Sequence, residues 1–278
     1  MANQSLGARN RPATLYASDM PCVFCGRSPL TNEHVFPRWL NRYLPQDRRQ
    51  QIEISRYGQN GYDIVHPSIG IDIRVRKVCA ECNSGWMSKL EADSIPVLEP
   101  LVSTTALQLV SVREQRQIAL WATKTAMMAD LTQAEPLILA NARRRLRTHH
   151  AIPGGTRIWL GACGELYPIA TSHTVRLELE RLDNPSAPRE IGFYVPLKIG
   201  HMCLYVYFPG VDVVVRHPPE YHLSLARIWP RRSSNIAWPP PLIPQDGVAF
   251  EQFSDDFWRS FTMLPREIAT AHDVRDSP

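Results

Sequence analysis

Cys22-Val-Phe-Cys25, Thr31-Asn-Glu33-His34-Val-Phe-Pro37 and Cys79-Ala-Glu-Cys82-Asn83-Ser-Gly-Trp86 are three short runs on which the 278-residue chain can be organised. A Cys-x-x-Cys turn presents two thiolates from one tight bend, and two such turns make up the four soft ligands of a tetrahedral zinc ion. One pair alone would read equally well as a redox dithiol. Two pairs bracketing an acidic-His dipeptide favour the metal. Cys22, Cys25, Cys79 and Cys82 are therefore expected to hold one structural Zn²⁺ and to tie together segments more than fifty residues apart.

With those residues in view, the stretch resembles the HNH endonucleases, the zinc-stapled branch of the ββα-metal nucleases. Their pattern is a Cys-x-x-Cys, an Asp/Glu-His dipeptide with a nearby proline, and a second Cys-x-x-Cys followed directly by Asn or His. Here these are Cys22 and Cys25, Glu33-His34 with Pro37, and Cys79, Cys82 and Asn83. The resemblance implies a treble-clef-like ββα module, His34 as general base, and Glu33 with Asn83 as holders of a catalytic Mg²⁺ or Mn²⁺. Such a nuclease hydrolyses phosphodiester bonds in DNA, with RNA as the other compatible polymer. The chemistry is coherent: imidazole titrates near neutrality, hard oxygen ligands suit Mg²⁺, and the cation offsets charge developing on phosphate oxygens.

The chain departs from that pattern in three places. Met87 stands where many members carry a further His, and Glu91, two turns on from Asn83 on the same helix face, is the candidate substitute. Arg74 stands where an Asn commonly orients the base. The gap from His34 to Cys79 is long and should contain an inserted hairpin or loop. These departures give weight to a second reading, a zinc-containing nucleic-acid-binding module whose catalytic metal site has decayed, with the β-rich half sensing a ligand.

A net charge of +4 permits nucleic-acid binding without demanding it. Local clusters are more informative. Arg38, Arg42, Arg48 and Arg49, with Arg74 and Arg76, flank the expected site in sequence and are the candidate phosphate contacts. Arg143, Arg144, Arg145 and Arg147 form a third basic run, for which a solvated face is the plain alternative. The two remaining cysteines, Cys163 and Cys203, sit in apolar runs and read as buried free thiols. This usage fits a reducing compartment. With no signal-like N-terminus and no apolar span of transmembrane length, the expected location is the cytoplasm and no membrane partner is expected. Whether the chain acts alone or as a homodimer is open at this level.

The expected fold class is α+β. Residues 1–19 read as a flexible leader, 20–95 as the zinc-stapled module, 96–150 as a helical segment, and 151–278 as an antiparallel β-rich domain ending in a helix. Within the module, Pro37 should open a helix, Gln51 to Tyr57 a strand, and Gly58-Gln-Asn-Gly61 a turn. Ile71, Ile73 and Val75 alternate with polar residues as a strand leading to Cys79, and a helix should run from about Gly85 to Asp93. Ser111-Val-Arg-Glu114 has capping-box spacing ahead of a helix that is apolar on most sides. A second helix is expected from Pro136 to about Arg147, with His149 and His150 past its end.

Beyond it, strands are expected at 157–162, 174–182, 191–197, 202–208, 211–216 and 223–228, as a sheet or small barrel. The run Trp238-Pro-Pro-Pro-Leu-Ile-Pro244 reads as a linker or clamp over that sheet, and Phe250, Phe253, Phe257 and Phe261 mark the terminal helix.

Overall fold

The computed structural model describes residues 21–43, 51–58, 61–69, 73–133, 135–166, 170–172, 174–179, 186, 190–209, 214–216, 221, 223–230, 233–259 and 262–264. Arg48, Arg49 and Phe261 and the expected leader at 1–19 lie outside the described residues.

The N-terminal unit is a β-ribbon feeding a helix. Strand β1 (Leu30–His34) is followed by a 3-10 helix at Arg38–Tyr43, then β2 (Gln51–Gly58), β3 (Gly61–Ile69) and β4 (Arg74–Cys79). β1 and β4 pair antiparallel, from Leu30 opposite Cys79 to His34 opposite Arg74, with a register shift between Thr31 and Glu33. β2 and β3 form the hairpin expected in the long gap, closing at Gly58 opposite Gly61. Cys82–Met87 makes a widened π-helical turn, irregular at Gly85, and leads into α1 (Ser88–Ser103). The sequence places the end of that helix near Asp93. It continues through Pro96 and Pro100 because Leu98, Leu101 and Val102 are buried there, and packing offsets the backbone bonds the prolines remove.

The central element is α2 (Val112–Asp130), preceded by β5 (Gln108–Val110). The expected capping box is present: Glu114 N–H donates to Ser111 Oγ at 3.3 Å and Ser111 N–H donates to Glu114 Oε2 at 2.7 Å. Such a cap stabilises a helix by about 1 kcal/mol. From Trp121 to Asp130 every residue of α2 is buried, so the helix lies inside the molecule. The next helix, α3, spans Ala140–His149 and starts later than the sequence suggests. The buried Asp130 carboxylate accepts the amides of Leu137 and Ile138 at 2.9 and 3.0 Å, holding that stretch outside the helix.

The remaining strands are β6 (Arg157–Ala162), β7 (Ala170–Ser172), β8 (Val175–Leu179), β9 (Glu190–Ile199), β10 (Met202–Pro209), β11 (Val214–Arg216), β12 (Ala226–Trp229), β13 (Ile236–Trp238) and β14 (Thr262–Leu264). Six form one antiparallel sheet in the order β12-β6-β10-β9, with β7 and β8 sharing the far side of β9. It is an open sheet with covered faces. On β10, Met202, Leu204, Val206 and Phe208 join the cluster around α2, while Cys203, Tyr205 and Tyr207 join Phe250 and Phe257 of α4 (Gly247–Arg259). Burial on both faces explains why these strands read as unbroken apolar runs. Cys163 and Cys203 are both fully buried thiols, as expected.

The proline run is tied to the segments beside β6 and β12. β13 pairs with β5, Trp238 is buried, and the chain then returns over the sheet through Leu242 N–H to Leu223 O and Gly164 N–H to Pro244 O. One apolar cluster includes Leu40, Val78, Leu98, Trp121 and Leu204, so the ribbon, the helices and the sheet share a core centred on α2. Among the described residues no helix is long and apolar enough to cross a membrane.

Candidate metal centre

The β1–β4 ribbon brings the two Cys-x-x-Cys turns together. Val23 N–H donates to Lys77 O at 3.0 Å and Gly26 N–H donates to Cys22 O at 2.8 Å, with Gly26 at φ 76°. A residue with a side chain is strained at that φ, which accounts for glycine directly after the second thiol. The Sγ atoms of Cys22, Cys25, Cys79 and Cys82 all lie within 4.8 Å of one another, with Cys25 and Cys79 at 3.5 Å. Zn–S bonds of about 2.3 Å in a tetrahedron separate ligand sulfurs by about 3.8 Å. The four cysteines can therefore hold a metal ion such as zinc.

The surroundings agree with that use. Burial pushes the Cys25 thiol up to about 12, with the neighbouring thiols adding to it and the Arg27 backbone opposing. Four crowded thiols become thiolates together only when a cation compensates them. Burial also pushes the Cys82 thiol up, and the neighbouring Trp86 and Arg147 side chains oppose it. Arg147, from α3, also reaches Glu81 at 3.3 Å, and Glu81 pairs with Arg27 of the first turn. Trp86 packs edge-on against Phe24 at 5.5 Å and His150 at 6.2 Å, so α3 and both turns meet around one indole.

On the ribbon beside this cluster stand the residues expected to do chemistry. Asn83, directly after Cys82, donates Nδ2 to Thr31 Oγ1 at 3.1 Å and to Asn32 O at 3.4 Å. The amide nitrogen thus fastens the turn to β1, immediately before Glu33 and His34. His34 is half-buried, and its partner across the ribbon is Arg74. Glu33 is only 7% exposed. Burial pushes its carboxyl up, and nearby Lys124 opposes this while Glu91 reinforces it.

Lys124 is the residue that sequence reading passed over. It projects from the buried part of α2, is 0% exposed, and places Nζ 2.5 Å from Glu91 Oε1 and 3.6 Å from Glu33 Oε1. The signal was available: a lone lysine in the run Ala119-Leu-Trp-Ala-Thr-Lys-Thr-Ala-Met is a cation at a core position, where an unpaired charge is prohibitively costly. Glu91, the candidate substitute ligand, is therefore drawn towards Glu33 through a shared ammonium. Among the described residues no second group of three or more His, Cys, Asp or Glu side chains has ligand atoms as close together as the four cysteines.

The candidate phosphate contacts have separate fates. Arg38, Arg74 and Arg76 are exposed. Arg42 is also exposed, but it pairs with Glu99 and lies over the Trp39 ring at 5.5 Å. The 143–147 run is not one solvated face. Arg143 is buried in an ion pair with Asp130 at 2.7 Å, Arg147 leans on Cys82, and Arg144 and Arg145 are exposed.

Comparison with known proteins adds no relative: no family model matches the chain, and no curated protein or solved structure matches it.

Proposed function

We propose that the chain is a metal-dependent endonuclease acting on DNA, built on a zinc-stapled ββα unit of HNH type. The observation that carries this reading is the hydrogen bond from Asn83 Nδ2 to Thr31 Oγ1 at 3.1 Å. Through it the residue after the second cysteine pair is fastened to the strand that bears Glu33 and His34. Its carbonyl oxygen remains the atom suited to a hard cation. In this reading Glu33 and Asn83 hold a Mg²⁺ or Mn²⁺ ion. When bound, that ion offsets charge on the phosphate and the leaving oxygen. His34 accepts the proton of the attacking water, and the zinc cluster keeps Asn83 beside the strand. Lys124 fixes the Glu33 carboxylate in place, and Arg74 and Arg76 on β4 contribute phosphate contacts from the same ribbon. The test is nicking of supercoiled plasmid that requires added Mg²⁺ or Mn²⁺ and disappears in His34→Ala.

One observation favours the second reading, a nucleic-acid-binding module without catalysis. Glu33 and Glu91 already share the buried ammonium of Lys124, which a divalent cation must compete with. On that reading duplex DNA binds, no metal supports cleavage, and His34→Ala changes nothing.

A further inference from the structure

A cavity of about 230 Å³ opens between α2, α3 and the loop leading into β6, and one of its lining residues, His150, also packs against Trp86 of the second cysteine turn. Its polar side chains are Arg116 of α2, Arg145 of α3, His150 and Thr156, and among the described residues no acidic side chain lines it. Leu120, Trp229 and Pro230 form apolar wall. Both arginines are exposed, and neither forms an ion pair among the described residues. The lining is therefore donor-rich, cationic and uncompensated.

The second observation is Thr156. It is 1% exposed, lines the cavity, and its Oγ1 is buried with no hydrogen-bond partner. A buried hydroxyl without a partner loses its bonds to water with nothing in return and is rarely left so without a reason. The loop before it is shaped by glycine. Gly155 has φ 72°, and a Cβ there would meet Pro209 Cγ at 2.7 Å, while a Cβ on Gly154 would meet open space. The chain therefore turns tightly into β6 and leaves the mouth of the cavity clear beside Gly154.

The geometry points to a phosphate-binding site, filled by a phosphomonoester or phosphodiester group whose sugar or base rests on the Leu120 and Trp229 wall. Two guanidinium groups, an imidazole and a hydroxyl offer more donors than the two oxygens of a carboxylate can use, whereas a phosphate has enough acceptor oxygens for all of them. The volume lies below the roughly 300–1,000 Å³ of sites for drug-sized ligands, so it suits one phosphate with its adjoining group. The phosphate can belong to a free nucleotide or to a nucleic-acid backbone passing the zinc turns. The inference does not depend on the nuclease reading, because it concerns binding away from Glu33, His34 and Asn83.

The experiment is calorimetric titration of the zinc-loaded full chain, without added Mg²⁺, using three probes: inorganic phosphate, a nucleoside 5′-monophosphate and a short single-stranded oligonucleotide. At least one phosphate-bearing probe should bind, and Arg116→Gln with Arg145→Gln should weaken it at least tenfold. Thr156→Val should weaken it several-fold without lowering the melting temperature, because the hydroxyl it removes has no partner to lose. Arg144→Gln, an exposed neighbour on α3 outside the cavity, should leave affinity unchanged. Binding of the mononucleotide identifies a free ligand, and binding of the oligonucleotide alone identifies the backbone; either supports the site. The inference is overturned if no probe binds, if the double variant binds as well as the parent, or if Arg144→Gln weakens binding equally.

Discussion

Lys124 Nζ lies 2.5 Å from Glu91 Oε1, so a fully buried lysine on α2 is anchored by a carboxylate from the helix that follows the second cysteine turn. The same ammonium stands 3.6 Å from Glu33. Removing one partner of a buried ion pair costs about 3–5 kcal/mol, since the charges left behind lose both water and partner. Lys124→Met should therefore lower the melting temperature markedly. If Glu33 lies at a cation site, added Ca²⁺ or Mg²⁺ should restore more stability to Lys124→Met than to the parent, because the cation takes over the role of the ammonium. Equal shifts in the two proteins, measured by thermal denaturation with and without the ion, would count against a cation at Glu33.

The cysteine cluster gives a second expectation. One zinc per chain should be found by elemental analysis, and Cys79→Ser should lose it. Because β4, β1 and α1 meet at this cluster, loss of the ion should destabilise the whole N-terminal unit, in keeping with the large coupling of zinc binding to folding in small sites. A Cys79→Ser protein that melts like the parent would show that the ribbon and core hold without the ion.

The sequence made the short-range features legible and the three-dimensional partnerships opaque. Cysteine spacing located a four-cysteine cluster that can hold a metal, the long gap located the β2–β3 hairpin, and Ser111 with Glu114 located the start of α2. Each depends on residues a turn apart or on the chemistry of a single side-chain type. The arginine run at 143–147 shows where this stops. On a helix successive residues are rotated by about 100°, so neighbours in sequence face different surroundings. Arg143 meets Asp130 in the core, Arg145 faces the cavity, and Arg147 reaches the thiols. Only the folded positions of α2 and the cysteine turns distinguish them. The extension of α1 past Pro96 and Pro100 is a case of the same kind, set by the burial of Leu98, Leu101 and Val102.

The Asp130–Arg143 pair should prove structural. The Asp130 carboxylate accepts two backbone amides and a guanidinium in the core, and burial pushes its carboxyl up even so. Asp130→Ala leaves Arg143 buried without a partner and should cost about 3–5 kcal/mol. Replacing both residues, as Asp130→Leu with Arg143→Met, should recover the part of that loss owed to the stranded guanidinium, while the Leu137 and Ile138 amides stay without their acceptor. Chemical denaturation of the single and double variants checks it, and additive losses would mean that the pair is not coupled.

Arg74 and Arg76 offer a test of the nucleic-acid reading that is independent of cleavage. Both are exposed on β4, separated by the buried Val75. If they touch phosphates, Arg74→Gln with Arg76→Gln should weaken duplex binding to the same degree for every sequence tried. It should also reduce the slope of log K against log salt by about 2, roughly one unit for each phosphate no longer neutralised. An unchanged salt slope would assign both side chains to solvent.

On the endonuclease reading, the roles proposed for His34, Glu33 and Asn83 can be separated kinetically. A general base acts on the water in the transition state, so His34→Ala should abolish plasmid cleavage and leave DNA affinity nearly intact. Glu33→Ala and Asn83→Ala should instead shift the metal requirement, with partial rescue at high Mg²⁺ or Mn²⁺. Asn83 carries a further consequence, because its Nδ2 bonds fasten the second cysteine turn to Thr31 and Asn32. Asn83→Asp keeps an oxygen ligand but removes the donor, so it should retain metal response while loosening the turn and lowering the melting temperature. Cleavage products should carry a 5′ phosphate and a 3′ hydroxyl, as attack opposite the 3′ leaving oxygen requires. A His34→Ala protein that nicks plasmid at the parental rate would remove His34 from the reaction, and the zinc unit would then stand as a binding module.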